Sequence, residues 1–194
     1  MLALLLPFLA TAAAQSVTLT GANGDTGTLR GGTCESSGAS YYYSIPFAQP
    51  PVDDLRFAAP VPYTGSYNLD ATAESPKCPQ WSGFIEDGNV SEDCLYLNVW
   101  VPENADGLPV KVWVYGGGNN AGSISNPTYD GCNLATDAVV VSVNYRLGPL
   151  GFLGLQDWGV QGNMGLQDIM AGLRWVQENI EGFGGDPVSR DLRV

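Results

Sequence analysis

The chain has 194 residues, 44% hydrophobic and only 14% charged, which is enough apolar material for a core and too little charge for a disordered polypeptide. Its 20 acidic residues outnumber the 8 basic ones, for a formal net charge of −12. That balance excludes the basic footprint of a nucleic-acid-binding protein, and we read it only as favouring solubility.

The chain opens on MLALLLPFLATAAA. A short apolar run followed by Ala12-Ala13-Ala14 predicts a secretory signal over residues 1–14, cut near Ala14-Gln15. A buried N-terminal strand or helix is the alternative. The run is too short to span a bilayer, and no later segment is apolar enough to do so. The expected product is an extracellular chain beginning at residue 15. Next, SVTLT alternates and meets GANGDTG, predicting a strand pair around a Gly-rich turn between Val17 and Leu29. Ser40 to Pro76 is rich in Pro, Tyr and Ala without a period, and reads as an irregular, packed loop region.

Asn89-Val90-Ser91 is an acceptor sequence for N-glycosylation, whereas Asn126-Pro127-Thr128 is blocked by its proline. From Cys94 to Val101 the residues alternate, with Leu95, Leu97, Val99 and Val101 sharing a face, which predicts a strand ended by Pro102. Val110–Tyr115 and Ala138–Val143 are short, near-continuous apolar runs, the pattern of parallel strands covered on both faces. A helix is predicted beyond them. Leu166, Ile169, Met170, Leu173, Val176 and Ile180 form its apolar side, Gln167, Arg174, Gln177, Glu178 and Glu181 the other, and Gly182 stands ready to end it. The closing residues after GGDP are too poor in apolar side chains to promise another buried strand, although a β–α–β series calls for one.

Four cysteines, Cys34, Cys78, Cys94 and Cys132, occur with no histidine. No C-x-x-C pair or Cys/His set suggests a metal site, and no cofactor motif is present. An even count in a secreted chain predicts two disulfides with three connectivities open, buried free thiols being the alternative.

The stretch KVWVYGGGNNAGS, Lys111 to Ser123, carries the chemical interest. A strand that runs into consecutive glycines presents backbone N–H groups with no side chains in the way. Such donors suit an anion or a developing negative charge. The stretch lacks the lysine of a phosphate loop and the spacing of a dinucleotide fingerprint. An oxyanion hole and a plain tight turn remain.

Five blocks decide between them. SIPFAQPPVDDLRFAAPVP, SEDCLYLNVWVP, VWVYGGG, VVVSVNYRLGPLGFL and GNMGLQDIMAGLRWVQENIEGFGGDP occur in this order between Ser44 and Pro187. Together they resemble the type-B carboxylesterase family, which includes fungal lipases and cholinesterases. The resemblance implies an α/β-hydrolase fold, here its N-terminal part: a mixed, mostly parallel sheet with flanking helices, stopping before the strand that leads to the nucleophile elbow. It implies a small-molecule ester as substrate of the full-length parent, with Gly117 and Gly118 as oxyanion donors. Asn119 departs from the aromatic or small residue usual there. Cys94 resembles the family cysteine that closes a loop with an upstream partner, here Cys78, which leaves Cys34 for Cys132. Arg56 with Glu92, and Arg146 with Asp168, match buried ion pairs of the family.

The nucleophile is missing. Family chemistry needs a serine within G-x-S-x-G and a later acid and histidine; no G-x-S-x-G and no histidine occur in these 194 residues. Residues 15–194 are therefore expected to be an incomplete domain, inactive as it stands, and its ending suggests a truncated or mis-spliced product. Without a neighbouring strand, Val110–Tyr115 is expected to be an open apolar edge and the fragment marginally stable. A non-catalytic binding or adhesion relative of the same fold is the second reading.

Overall fold

In a computed structural model the described residues are 15–21, 23–81 and 89–193; the predicted signal lies outside them. Strands β1 (Ser16–Thr20) and β2 (Thr26–Arg30) form the antiparallel pair read from the alternation at the N-terminus. Gly24 sits in the turn with φ 81°. The two-residue strand β3 (Gly32–Thr33) pairs with β4 (Ser40–Pro46), and β5 (Leu69–Asp70) pairs in parallel with β2. Strand β4 corrects the reading of Ser40–Pro76 as wholly irregular. Its alternation is interrupted where Ser44 takes φ 57°, and the register against the next strand shifts between Tyr42 and Ile45. A bulge of this kind hides the period of two.

Strands β6 (Tyr96–Val101), β7 (Leu108–Trp113) and β8 (Val139–Val143) follow the predicted runs to within a few residues. β8 lies between β6, to which it is antiparallel, and β7, to which it is parallel. All of its residues are buried. Val139, Val141 and Val143 pack with Leu97, Val99 and Val112 in the main core, whereas Val140 joins Trp100, Ala39 and Ala135 on the opposite face. Being covered on both faces is what makes its sequence continuously apolar.

A short helix α1 (Gly148–Phe152) and the long helix α2 (Met164–Asn179) come next. The apolar spacing finds the buried face of α2 in part: Val176 and Ile180 are buried, Ile169 and Leu173 pack against buried clusters, but Leu166 and Met170 face outward. Leu166 is 52% and Met170 50% exposed, while Met164, Gly165, Asp168, Gly172, Trp175 and Val176 are buried. The reason is close approach. Gly172 lies against Val143, and Gly165 against the carbonyl of Arg146 and the ring of Phe152, so glycines and an ion-paired aspartate take positions where a hydrophobic stripe was sought. The last turn is closed by Gly184, at φ 75°, rather than by Gly182. Its N–H donates to the carbonyl of Glu181.

Strand β9 (Gly185–Arg193) corrects the expectation for the end of the chain. It pairs in parallel with β7, placing Val110 opposite Arg190 and Trp113 opposite Arg193. The larger sheet therefore runs β3-β4-β6-β8-β7-β9 and the smaller one β1-β2-β5. β7 is an inner strand, not an open edge. Parallel pairing rests on backbone groups that every residue but proline carries, so a segment poor in apolar side chains can still complete the ladder. This removes the ground for expecting marginal stability from an exposed β7.

Cys78–Cys94 and Cys34–Cys132 are bonded, enclosing separations of 16 and 98 residues. No described helix is long and apolar enough to cross a membrane, and among the described residues no group of three or more His, Cys, Asp or Glu side chains could hold a metal ion.

Candidate active site

The glycine turn begins where β7 ends. Val114 and Tyr115 are buried, and Gly116–Asn120 are exposed. Gly117 has φ 137° and Gly118 φ 62°. A side chain on Gly117 would run into the carbonyl oxygen of Ala121, so glycine is required there on two counts. Asn119 is also left-handed, at φ 61°, a conformation asparagine accepts more readily than bulkier residues. That backbone demand accounts for the departure from the family pattern at this position.

Carbonyls and amides of the turn are used differently. The carbonyl of Gly117 accepts from the N–H groups of Asn120 at 3.1 Å and Ala121 at 3.3 Å. That of Gly118 accepts from Asn120 Nδ2 at 2.9 Å. Among the described residues, the N–H groups of Gly117 and Gly118 donate to nothing. Two adjacent amides at an exposed bend are thus left free among the described residues, while their own carbonyls are engaged.

Four contacts hold the turn in place. First, Tyr115 and Tyr145 stack with centroids 4.6 Å apart. The Tyr145 hydroxyl donates to the Tyr115 carbonyl at 2.9 Å, and the Tyr115 hydroxyl to the Tyr145 carbonyl at 3.2 Å. This reciprocal pair locks the ends of β7 and β8 together. Burial pushes the Tyr115 phenol well above its ordinary value, so it remains a donor throughout the working pH range. Second, the wholly buried Asn144 accepts from the Ile124 N–H at 3.1 Å and donates to the carbonyls of Cys94 at 3.1 Å and Pro76 at 3.3 Å. Third, the loop after Cys78 reaches across: the Trp81 N–H donates to the Asn120 carbonyl at 3.1 Å, and the Gln80 carboxamide bonds Gly122. On the far side, the Gly148 N–H donates to the Asn119 carbonyl at 2.7 Å. Buried amide and phenol partners of this kind carry no periodic signature; only the register of the strand ends brings them together.

The two ion pairs differ. Arg146 and Asp168 are 2% and 0% exposed and meet through two side-chain bonds, Nε–Oδ2 at 2.8 Å and Nη2–Oδ1 at 2.7 Å. The Arg146 N–H adds a third, at 3.0 Å to Oδ2, and Nη1 donates to the carbonyls of Arg56 and Leu55. Burial raises the Asp168 carboxyl above its ordinary value, against the pull of Arg146. Arg56 and Glu92 also meet, at 2.6 Å, but are 37% and 29% exposed, so the burial implied for them is only partial. Solvent screens such a pair, so it adds little to stability.

No nucleophile accompanies the turn among the described residues. Ser123 is buried, and its Oγ lies 2.7 Å from Ser125 Oγ with no base beside it. The profile of the carboxylesterase family matches residues 15–189. The chain belongs to the carboxylesterase family. Over 167 residues this carboxylesterase chain is 46% identical to the para-nitrobenzyl esterase of Bacillus subtilis, covering 80% of the present chain and 34% of that relative. It is 46% identical over 161 residues to the fumonisin B1 esterase of Sphingopyxis macrogoltabida, covering 75% and 29%. With the acetylcholinesterase of Gallus gallus the identity is 44% over 168 residues, covering 78% and 22%. A thermophilic PNB esterase superposes with a TM-score of 0.83 at 42% identity, over 93% of this chain and 38% of that one. The carboxylesterase chain thus spans about a third, or less, of the length of these curated relatives, and its fold is the corresponding part of an α/β-hydrolase.

Proposed function

We propose that this carboxylesterase chain carries the oxyanion-stabilising part of a secreted carboxylic-ester hydrolase, and that these 194 residues by themselves do not turn over an ester. The observation that carries the reading is the unspent pair of amides at Gly117 and Gly118, whose own carbonyls are both engaged. In the complete reaction a serine oxygen adds to the ester carbonyl, whose oxygen takes up the negative charge. On this reading the two free N–H groups of the turn stabilise that charge as preorganised donors. The acyl group then passes from serine to water. Serine and its histidine base are supplied by neither G-x-S-x-G nor any histidine here, and without a base the hydroxyl is a weak nucleophile. Secretion agrees with the two disulfides and with the exposed Asn89 as a glycan acceptor. The alternative, a non-catalytic binding relative, gives no reason for amide donors kept free at a strained turn.

The purified chain is expected to hydrolyse p-nitrophenyl butyrate at the buffer rate; turnover abolished by a serine-directed organophosphate would overturn the inactivity. Titration with an alkyl phosphonate, an anionic tetrahedral mimic, is expected to shift the Gly117 and Gly118 amide resonances selectively. Gly117→Ala should abolish that shift. In a catalytically complete relative, losing one such donor costs about 2.7–4 kcal/mol of transition-state stabilisation. Phosphonate shifts spread evenly over the surface, or absent from the turn, would remove the assignment.

A further inference from the structure

The loop between Cys78 and Cys94 touches the glycine turn through one side chain in an unusual way. Gln80 Oε1 accepts from the Gly122 N–H at 3.1 Å, and Gln80 Nε2 donates to the Gly122 carbonyl at 3.1 Å. A carboxamide carries an acceptor oxygen and a donor NH₂ side by side, so it can bond both backbone groups of a single residue. The same Nε2 also donates to the Cys78 carbonyl at 3.2 Å, so the clamp is fixed at its base beside the disulfide. Gly122 itself has φ 125°, and a side chain there would collide with the ring of Tyr115. It is therefore pinned from both sides, by the tyrosine that ends β7 and by Gln80. Gly122 is also the C-terminal foot of the bend that starts at Gly116; Ala121, next to it, donates to the Gly117 carbonyl.

We propose that Gln80 is a positioning residue for the oxyanion turn: its two-way clamp on Gly122, anchored at the Cys78 carbonyl, holds the amides of Gly117 and Gly118 in place. This rests on the reading of those amides as the oxyanion donors. The clamp supplies no atom to the reaction. It fixes the foot of the bend, so that the Ala121 N–H stays on the Gly117 carbonyl and the two free N–H groups keep one direction. Preorganised donors are effective because they need not move when charge appears, and a donor held on an exposed glycine bend has no side chain of its own to hold it.

The test is backbone order by ¹⁵N relaxation on the whole chain. In the unmutated protein Gly117, Gly118 and Gly122 are expected to have order parameters near the rigid value of about 0.85, and in Gln80→Ala to fall below about 0.6 while the sheet stays unchanged. Gln80→Glu separates positioning from bulk packing. Its carboxylate accepts from the Gly122 N–H but faces the carbonyls of Gly122 and Cys78 with nothing to donate. Order should be lost near about pH 7 and recover toward about pH 5 as the carboxyl protonates, since two facing carbonyls raise its pKa. A packing role would show no such pH-dependent recovery. On the unmutated chain, a scalar coupling across the Gln80 Nε2 to Gly122 carbonyl hydrogen bond is a direct readout that holds even if both variants fail to fold. Unchanged order at Gly117 and Gly118 in Gln80→Ala, or absence of that coupling, overturns the proposal. Phosphonate titration of the unmutated chain keeps the two ideas apart: a turn ordered by Gln80 that binds no phosphonate leaves the clamp standing and removes the oxyanion reading.

Discussion

Asp168→Ala is expected to destabilise the chain by about 3–5 kcal/mol, the usual cost of stranding one member of a buried ion pair. Arg146 would keep its charge at 2% exposure, with only the carbonyls of Leu55 and Arg56 left as partners. Against a net stability of about 5–15 kcal/mol for a whole domain, this is enough to shift the urea midpoint far down or to prevent folding. Arg146→Met combined with Asp168→Leu should recover part of the loss. The raised pKa of Asp168 means that burial already works against this charge, and apolar replacements of similar volume strand no charge, although the backbone N–H of residue 146 and the carbonyls of Leu55 and Arg56 lose their partners. Urea unfolding of the single and double variants checks both halves. A single variant within about 1 kcal/mol of the parent would show that the guanidinium finds water.

Asn144→Leu is expected to cost about 3 kcal/mol or more. It strands the Ile124 N–H and the carbonyls of Pro76 and Cys94 together, and a buried group left without a partner costs about 1–3 kcal/mol. The loss should also be local in a telling way. Ile124 follows the glycine turn and Cys94 closes the disulfide loop, so hydrogen exchange at Ile124 should accelerate by more than β6 or β8 accounts for. A thermal melt gives the magnitude and exchange gives the place. Equal acceleration throughout the sheet would assign Asn144 to general stability alone.

Strands whose neighbours cover both faces announce themselves: β8 is a run of valines and one serine because it lies between β6 and β7. The glycine turn was legible as a turn, but three consecutive glycines by themselves left an oxyanion hole and a plain tight turn both open. What escaped was set by contact between distant segments. Apolar spacing found Val176 and Ile180 on the buried face of α2 but missed Gly165, Gly172 and Asp168, which do there what leucines do elsewhere. β4 was lost to a bulge at Ser44, and β9 to the assumption that a strand in an α/β sheet must be apolar. In the candidate site, Gly117 and Gly118 stood out, but Gln80, Asn144, Tyr115 and Tyr145 did not. Their work is done by single polar atoms meeting backbone groups far away in sequence.

The two disulfides also order events in time. Cys78 and Cys94 are 16 residues apart, whereas Cys34 must wait for a partner 98 residues downstream. If the chain matures in an oxidising compartment, as the proposed secretion requires, synthesis from the N-terminus brings Cys34 out first, and it stays unpaired while both members of the shorter loop appear beside it. Correct maturation then depends on Cys78 and Cys94 finding each other faster than either is captured by the waiting thiol. The shorter loop closes at the lower entropic cost, and this bias protects the longer bridge until Cys132 arrives.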